Sequence, residues 1–439
     1  MCKLFNIKMK KLILFLIFVF VPLIVESSEL EPLIDDIDYL ENVVLPKDMP
    51  YGAEYTDTSL YMIGDVSVSV ILPESLNGSE DWTDEEINLV KSKIMAAMDW
   101  WAAREPNAHL NFVYNFEERV PTNYEPIEMR TLYKYLWVEE VMNELGYYTT
   151  TEDPSLVLYD YINDQRDIKE TDWAFVIFVV DSSNDVDGRF ADGRFAFASL
   201  RPSGGGPYVF MTYDNSGFSI ERMDVVAAHE AGHIFGAKDQ YGTCACNARA
   251  GYLYYENQNC VNMCLTNENS IMKSATTGYY LNAVDYYARG QIGWADSDGN
   301  GFLDIIDIEP VVSVNSGDLD EPHIYHPDKK VISNLSNGRN VLNNYFSYDG
   351  TASLGVFEAI NPDYNTVSID KVTSVQYRTS KTGPWAKVNK IKEVSSTLWK
   401  YKFKFQLFYP AKYIVEIKAI DRFGLETSEE NYARLKVFV

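Results

Sequence analysis

The sequence HEAGHIFGAKD, residues 229–239, decides how the rest of the chain is interpreted. Its histidines, His229 and His233, are four positions apart, so on a helix both imidazoles project from one face. That spacing suits two ligands of a tetrahedral zinc ion. Gly236 can end the helix because glycine readily adopts positive φ. The chain can then turn back and bring the carboxylate of Asp239 to the metal as a third ligand.

Glu230 and the choice of third ligand complete this candidate site. Glu230 follows the first histidine and can serve as a general base toward the hydrolytic water. Composition alone would produce a His-acid-x-x-His arrangement only about 0.01 times in such a chain. No histidine follows His233 within residues 55–295, so a carboxylate must complete the ligand set. Glu256 or Glu268 is the alternative to Asp239.

The surrounding patterns predict an α/β (α+β) domain over residues 55–295. Residues 83–86, Thr-Asp-Glu-Glu, form a capping box that opens a helix. The continuous apolar run 173–180 is typical of a buried strand, and 208–213 forms a shorter one. A helix capped by Ser219 is predicted from Ile220 to Phe235.

The motif resembles that of the metzincin zinc endopeptidases. Residues 270–273, Ser-Ile-Met-Lys, resemble the Met-turn of that clan, which places Met272 beneath the zinc. A helix at 282–293 lies where the clan has its last helix. Asp239 replaces the usual third histidine, as in secreted proteases of the snapalysin type. Ser274 replaces the tyrosine that follows the Met-turn methionine, and whether Tyr279 or Tyr280 takes over its role stays open.

This resemblance implies a fold, an activity and a substrate. The fold is a mixed sheet with an active-site helix. The activity is hydrolysis of peptide bonds, with zinc on His229, His233 and Asp239 and with Glu230 as the general base. The substrate is a polypeptide, which the strand at 208–213 would pair with in extended form.

An acidic loop follows the predicted catalytic domain. Residues 296–307, DSDGNGFLDIID, resemble an EF-hand or dockerin-type calcium loop with Asp at its last position. The calcium ligands in this hypothesis are Asp296, Asp298, Asn300, Phe302 through its carbonyl, Asp304 and Asp307. An acidic, solvated linker is the alternative interpretation.

The C-terminal part changes character. Residues 308–330 are polar and are predicted to be a linker. Residues 331–439 contain alternating strands and little helical periodicity, which predicts an all-β sandwich. It resembles bacterial and archaeal immunoglobulin-like modules, and could bind substrate, a cell surface or nothing.

The first residues and the cysteines indicate export. Residues 1–27 have a basic start and an apolar run, as a secretory signal peptide does, and 28–54 form a pro-segment or a tail. A membrane anchor is the alternative if the signal is not cleaved. The remaining cysteines are expected to form two disulfides, with their pairing open, and a four-thiolate zinc site is the alternative. These cysteines are Cys244, Cys246, Cys260 and Cys264.

The net charge of the chain limits the kinds of binding partner that are expected. Acidic residues outnumber basic ones 64 to 38 over 439 residues, a formal net charge of -26. A nucleic-acid ligand is not expected, because such binding needs a basic face. The sequence therefore predicts a secreted zinc endopeptidase with zinc and calcium as cofactors. The alternative is an adhesion or binding protein on an inactive protease fold, and the oligomeric state stays open.

Overall fold

A five-stranded sheet forms the centre of the first half of the chain. The computed structural model describes residues 49–78, 80–148, 155–199, 207–261, 264–314, 344–407 and 412–438. The strands of this sheet are β1 (Asp65–Ser75), β2 (Asn111–Thr122), β3 (Trp173–Val180), β4 (Ala196–Ser199) and β5 (Tyr208–Thr212). The spatial order is β2-β1-β3-β5-β4. All neighbours are parallel except β4, which runs antiparallel to β5 at one edge.

The position of β5 corrects one expectation. The strand at 208–213 was expected to pair with substrate, but β5 lies between β3 and β4, and its backbone is already paired on both sides. On this side of the sheet, β4 is the edge strand. The continuous apolar run of β3 is buried at every position, as predicted. A strand buried on both faces needs no polar alternation.

Helices cover both faces of this sheet. Their bounds are α1 (Asp84–Ala102), α2 (Lys134–Glu144), α3 (Ser155–Lys169), α4 (Met223–Ile234), α5 (Ala275–Tyr280) and α6 (Tyr286–Gln291). Buried residues of α1 and α4 share one core with β1, β3 and β5. Those of α2 and α3 share a second core with the opposite face. The first half is therefore a mixed α/β assembly, as the sequence predicted at that level.

Two helix starts were tested by the structure. The capping box of α1 is confirmed, because the Thr83 side chain accepts a hydrogen bond from the Glu86 amide and Glu86 returns one. The Ser219 cap was wrong: α4 begins at Met223, after a 3-10 turn at Ile220–Arg222. Ser219 has φ 57° and makes no capping bond.

The helix predicted at 282–293 is shorter than expected. Asn282 has φ 57°, which ends the preceding turn, and α6 begins only at Tyr286. Asp285 caps it by accepting the amides of Tyr287 and Ala288. A separate short helix, α5, precedes that turn and is capped by Ser274.

After a short pair of strands, β6 (Arg249–Ala250) and β7 (Tyr255–Glu256), the C-terminal part consists of two four-stranded sheets. Its strands are β8 (Val311–Val314), β9 (Asn344–Ser353), β10 (Val372–Arg378), β11 (Ala386–Lys387), β12 (Asn389–Ser395), β13 (Leu398–Leu407), β14 (Lys412–Asp421) and β15 (Ala433–Phe438). The orders are β11-β10-β14-β15 and β12-β13-β9-β8, and residues of both sheets share one apolar core. β8 lies in the stretch predicted as a linker, yet it pairs with β9.

Polar contacts join the β-rich part to the central sheet. The Arg422 guanidinium donates to Asp65 at 2.6 Å and to Asp172 at 2.5 Å. Both carboxylates lie at the beginning of parallel strands. The Tyr252 hydroxyl accepts the Val367 amide at 2.9 Å within a buried surface. Two charge-assisted bonds from one arginine hold these two parts together.

The N-terminal predictions lie mostly outside the described residues. The predicted signal peptide, 1–27, and the predicted pro-segment or tail up to residue 48 lie outside the described residues. Tyr51, within the predicted tail, forms a β-bridge with Ser368 of the C-terminal part. Over the described ranges, no helix is both long and apolar enough to cross a membrane.

Candidate metal centre

Helix α4 presents both histidines with their ring orientation fixed. The Nδ1 atom of His229 lies 2.9 Å from the carbonyl oxygen of Ile271, and that of His233 lies 2.7 Å from the carbonyl of Ala237. A carbonyl can only accept, so each Nδ1 carries the proton. In the neutral form of each ring, the lone pair is then on Nε2, the nitrogen that can bind a metal. Trp101 of α1 anchors the helix by donating its indole N–H to the Ala228 carbonyl.

Asp239 completes a group of three side chains that could hold a metal ion. Gly236, with φ 97°, ends the helix and turns the chain back. One carboxylate oxygen of Asp239 then lies 3.2 Å from the Nε2 of His229 and 3.2 Å from that of His233. In a tetrahedral zinc site, neighbouring nitrogen and oxygen ligands are about 3.3 Å apart. Two ring nitrogens and a carboxylate oxygen thus converge, and this donor set could hold a metal ion.

The closeness of His229, His233 and Asp239, called the trio below, shifts the pKa values of Asp239 and His233. Burial by itself would raise the pKa of Asp239, but hydrogen bonds and charge from His229 and His233 hold it well below its usual range. Burial lowers the pKa of His233, yet the hydrogen bond with Asp239 and the charge of Glu230 raise it overall. The negative charges that help His233 to hold a proton would also attract a cation.

Met272 lies directly beneath the histidine helix. It is fully buried, and its sulfur would be 2.7 Å from a Cβ at position 232. Position 232 therefore needs glycine, because any side chain there would displace the methionine. The neighbouring Ile271 supplies the carbonyl that orients His229. The segment predicted as a Met-turn thus contacts the site both through packing and through a hydrogen bond.

Glu230 and Tyr241 lie beside the three ligands. Glu230 is buried, and its charge acts on both His233 and Tyr241. The Tyr241 ring centroid is 6.0 Å from that of His229. Burial and the charges of Asp239 and Glu230 raise the pKa of Tyr241, so its phenol keeps its proton. Sequence reasoning missed this residue, although its position two after Asp239 was a usable signal.

The other candidates are placed elsewhere. Within the described ranges, only His229, His233 and Asp239 bring three such ligand atoms within 4.8 Å of one another. Glu256 lies in the two-residue strand β7 (Tyr255–Glu256), 3.5 Å from Arg249. Glu268 also stays outside the trio. The Tyr279 hydroxyl donates to Asp224 and its ring stacks on Trp100.

The four cysteines pair across one loop. Cys244 lies at disulfide distance from Cys260, with a Cα–Cα distance of 5.9 Å. Cys246 is paired with Cys264, at 5.6 Å between Cα atoms. The expectation of two disulfides is confirmed at this level, and the structure supplies the pairing that the sequence left open. The loop begins just after Asp239.

The predicted calcium loop is tightly turned and is exposed over residues 297–301. Asp296 accepts the amides of Gly299 and Gly301, and both glycines have positive φ. Asp298 and Asn300 accept the amides two residues further on, while Asp304 accepts that of Ser297. The side-chain amide of Asn300 donates a hydrogen bond to the Asp307 carboxylate. Phe302 takes part through its backbone amide, which donates to Asn300.

Comparisons with known proteins add little to this geometry. No family model and no curated protein matches the chain. The sulfane dehydrogenase SoxCD from Paracoccus pantotrophus is 11% identical, with a TM-score of 0.18, over 27% of this chain and 23% of that chain. A PKD domain of an M14-like peptidase from a Thermoplasmatales archaeon is 13% identical, with a TM-score of 0.16, over 30% and 92%. An engineered protein is 11% identical, with a TM-score of 0.16, over 84% and 65%. At these TM-scores the likenesses carry no argument.

Proposed function

We propose that this protein is a zinc-dependent endopeptidase. The observation that supports this most directly is that one Asp239 carboxylate oxygen lies 3.2 Å from the Nε2 atoms of both His229 and His233. Each histidine has its other nitrogen tied to a backbone carbonyl, an arrangement that typically fixes the orientation of metal-bound imidazoles. Asp239 is the proposed third ligand, and the gluzincin-like alternative with Glu256 or Glu268 lacks geometric support.

Residues of this chain have distinct roles in the proposed reaction. Zinc bound by the trio would polarise the scissile carbonyl and acidify a water. Glu230 accepts the proton of the attacking water and passes it to the leaving amine. Tyr241, whose ring centroid lies 6.0 Å from that of His229, is the proposed hydrogen-bond donor to the carbonyl oxygen as charge develops on it. The outer edge of β4, the last strand in the order of the described sheet, is where an extended polypeptide would add as a further strand.

The finer fold assignments belong to the same proposal. The central sheet, α4 and Met272 support a metzincin-like catalytic domain, and the two C-terminal sheets support an immunoglobulin-like sandwich. The cysteine pairs support export, because disulfides persist outside the cytoplasm. Glu230 beside the ligands favours an active enzyme over an adhesion protein on an inactive fold, because a binding protein has no use for a general base.

The proposal is tested by metal removal. Purified protein is expected to cleave casein and to lose that activity with 1,10-phenanthroline, which removes zinc and leaves calcium in place. Addition of zinc after dialysis should restore cleavage, with about one zinc per chain by metal analysis. The loss follows because the trio alone cannot polarise a carbonyl. Cleavage that persists in metal-free protein would rule the proposal out.

Calcium at residues 296–307 is proposed to stabilise the protein. Leu303, Ile305 and Ile306 of this loop are buried, so an ion that orders the loop also orders core residues. Calcium at about 100 times its dissociation constant would contribute about 2.7 kcal/mol and raise the melting temperature by a few degrees. Asp296→Ala should abolish that rise. Glu85→Ala, which removes an exposed charge from α1, should retain it, and an equal response of both variants would contradict the site.

A further inference from the structure

The segment that carries Asp239 is held at four consecutive backbone positions. Residues 237–240 have no regular secondary structure, so each polar group must find its own partner. The partners, in chain order, are the ring of His233, the Gln291 side chain, the Asn257 side chain and the carbonyl of Met272. The distances lie between 2.7 and 3.2 Å.

Asn257 makes the contact to the ligand residue itself. Its side-chain amide donates to the Asp239 carbonyl at 3.2 Å, and its own oxygen accepts the Asn259 amide at 3.2 Å. Asn257 is only 1% exposed. A buried amide with both ends hydrogen-bonded has one orientation, because every alternative leaves a polar atom unpaired.

Gln240 connects the segment to a second buried amide. Its side-chain nitrogen donates to Asp285 at 2.8 Å, and its side-chain oxygen accepts from Asn259 at 3.0 Å. Asn259 in turn accepts the Glu268 amide at 2.7 Å. Gln240 and Asn259 are fully buried. Asp285 is the cap of α6, so the network reaches from Asp239 to a helix on the far side of the Met-turn.

The disulfide loop supplies these amides. Asn257 and Asn259 immediately precede Cys260, which is paired with Cys244 shortly after Gln240. The Val261 amide also donates to the Gln240 carbonyl at 2.9 Å. The disulfide keeps the two ends of the loop together. The side-chain amides of Asn257 and Asn259 then hold residues 237–240, the segment that carries Asp239, in one position.

We propose that Asn257 and Gln240 are positioning residues for Asp239, so that the disulfide loop holds the third ligand ready before metal binds. This inference rests on the proposed function, since Asp239 must be a metal ligand. Residues that orient metal ligands typically change metal affinity about 10- to 100-fold when removed. The effect arises because an unsupported segment must be ordered at the moment of binding.

The test compares two buried asparagines in full-length protein. Asn257→Leu removes the bond to the Asp239 carbonyl. Asn163→Leu, in α3, removes an equivalent bond from a buried asparagine to the Tyr55 carbonyl, at 2.9 Å and away from the trio. Zinc affinity is measured by chelator competition, and the absorption spectrum of the cobalt-substituted protein reports the ligand geometry. Gln240→Met provides a second variant, with circular dichroism to verify folding.

The expected result separates positioning from general destabilisation. Asn257→Leu and Gln240→Met should bind zinc about 10- to 100-fold more weakly and change the cobalt spectrum. Asn163→Leu should lose stability while keeping wild-type affinity and spectrum. Equal affinities in all folded variants would overturn the inference. Wild-type protein that binds zinc tightly but cleaves no peptide would refute the proposed function and leave the inference intact, whereas absence of zinc binding would refute both.

Discussion

Glu230→Gln is expected to lower peptide-hydrolysis turnover by several decades while the protein retains about one zinc per chain. The general base is lost, but the amide has the same size and does not disturb His229 or His233. The measurement is kcat on casein or a fluorogenic peptide, together with metal analysis of the same sample. Loss of turnover with metal retained is what distinguishes a base from a ligand.

A matched control tests whether any nearby glutamate has this effect. Glu221→Gln makes the same chemical change in an exposed residue just before α4. It should leave turnover close to the wild-type value. Casein cleavage by Glu230→Gln at the wild-type rate would remove Glu230 from the mechanism.

Asp239→Ala is expected to lose most of its zinc and, with it, nearly all activity. The substitution removes the oxygen that lies 3.2 Å from both Nε2 atoms and leaves only two ligands. Asp239→His should retain metal, because imidazole is also a sound zinc ligand. It exchanges a negative charge for a neutral ligand, so the acidic limb of its pH–rate profile should lie at lower pH. Metal analysis and pH profiles of the two variants test these expectations.

The alternative ligands provide the comparison for Asp239. Glu256→Ala and Glu268→Ala should both keep metal near one per chain, since neither residue joins the trio. The opposite pattern, with tight zinc in Asp239→Ala and loss in either glutamate variant, would make the chain gluzincin-like and would end the metzincin interpretation.

Local spacing explains why the candidate ligands could be predicted before any coordinates. Two histidines four apart share a helix face whatever the rest of the protein does, and Gly236 marks the helix end by its own backbone freedom. The apolar run of β3 and the capping box of α1 are local in the same sense. Each prediction needed only residues within a few positions of one another, and each agrees with the structure.

Features that depend on contacts between distant segments could not be predicted from local spacing. The cap predicted at Ser219 failed because the approach to α4 contains several residues with positive φ, and the helix begins only at Met223. β5 proved to be internal because β4 returns antiparallel beside it. Val311–Val314 joined the β-rich part because it pairs with β9, which lies beyond the predicted linker. Strand order and pairing depend on how loops close, which local patterns do not encode.

The metal centre combines both kinds of information. The identity and spacing of His229, His233 and Asp239 were sufficient to predict that these three side chains come together, because helix periodicity and a glycine turn act over a few residues. The supports of the site were not predictable in this way. Asn257 approaches Asp239 through a loop closed by two disulfides, and Ile271 orients His229 from another part of the chain. A buried hydrogen bond needs its donor and acceptor within about 3 Å, and folding brings such partners together from sequence separations at which no periodic pattern survives.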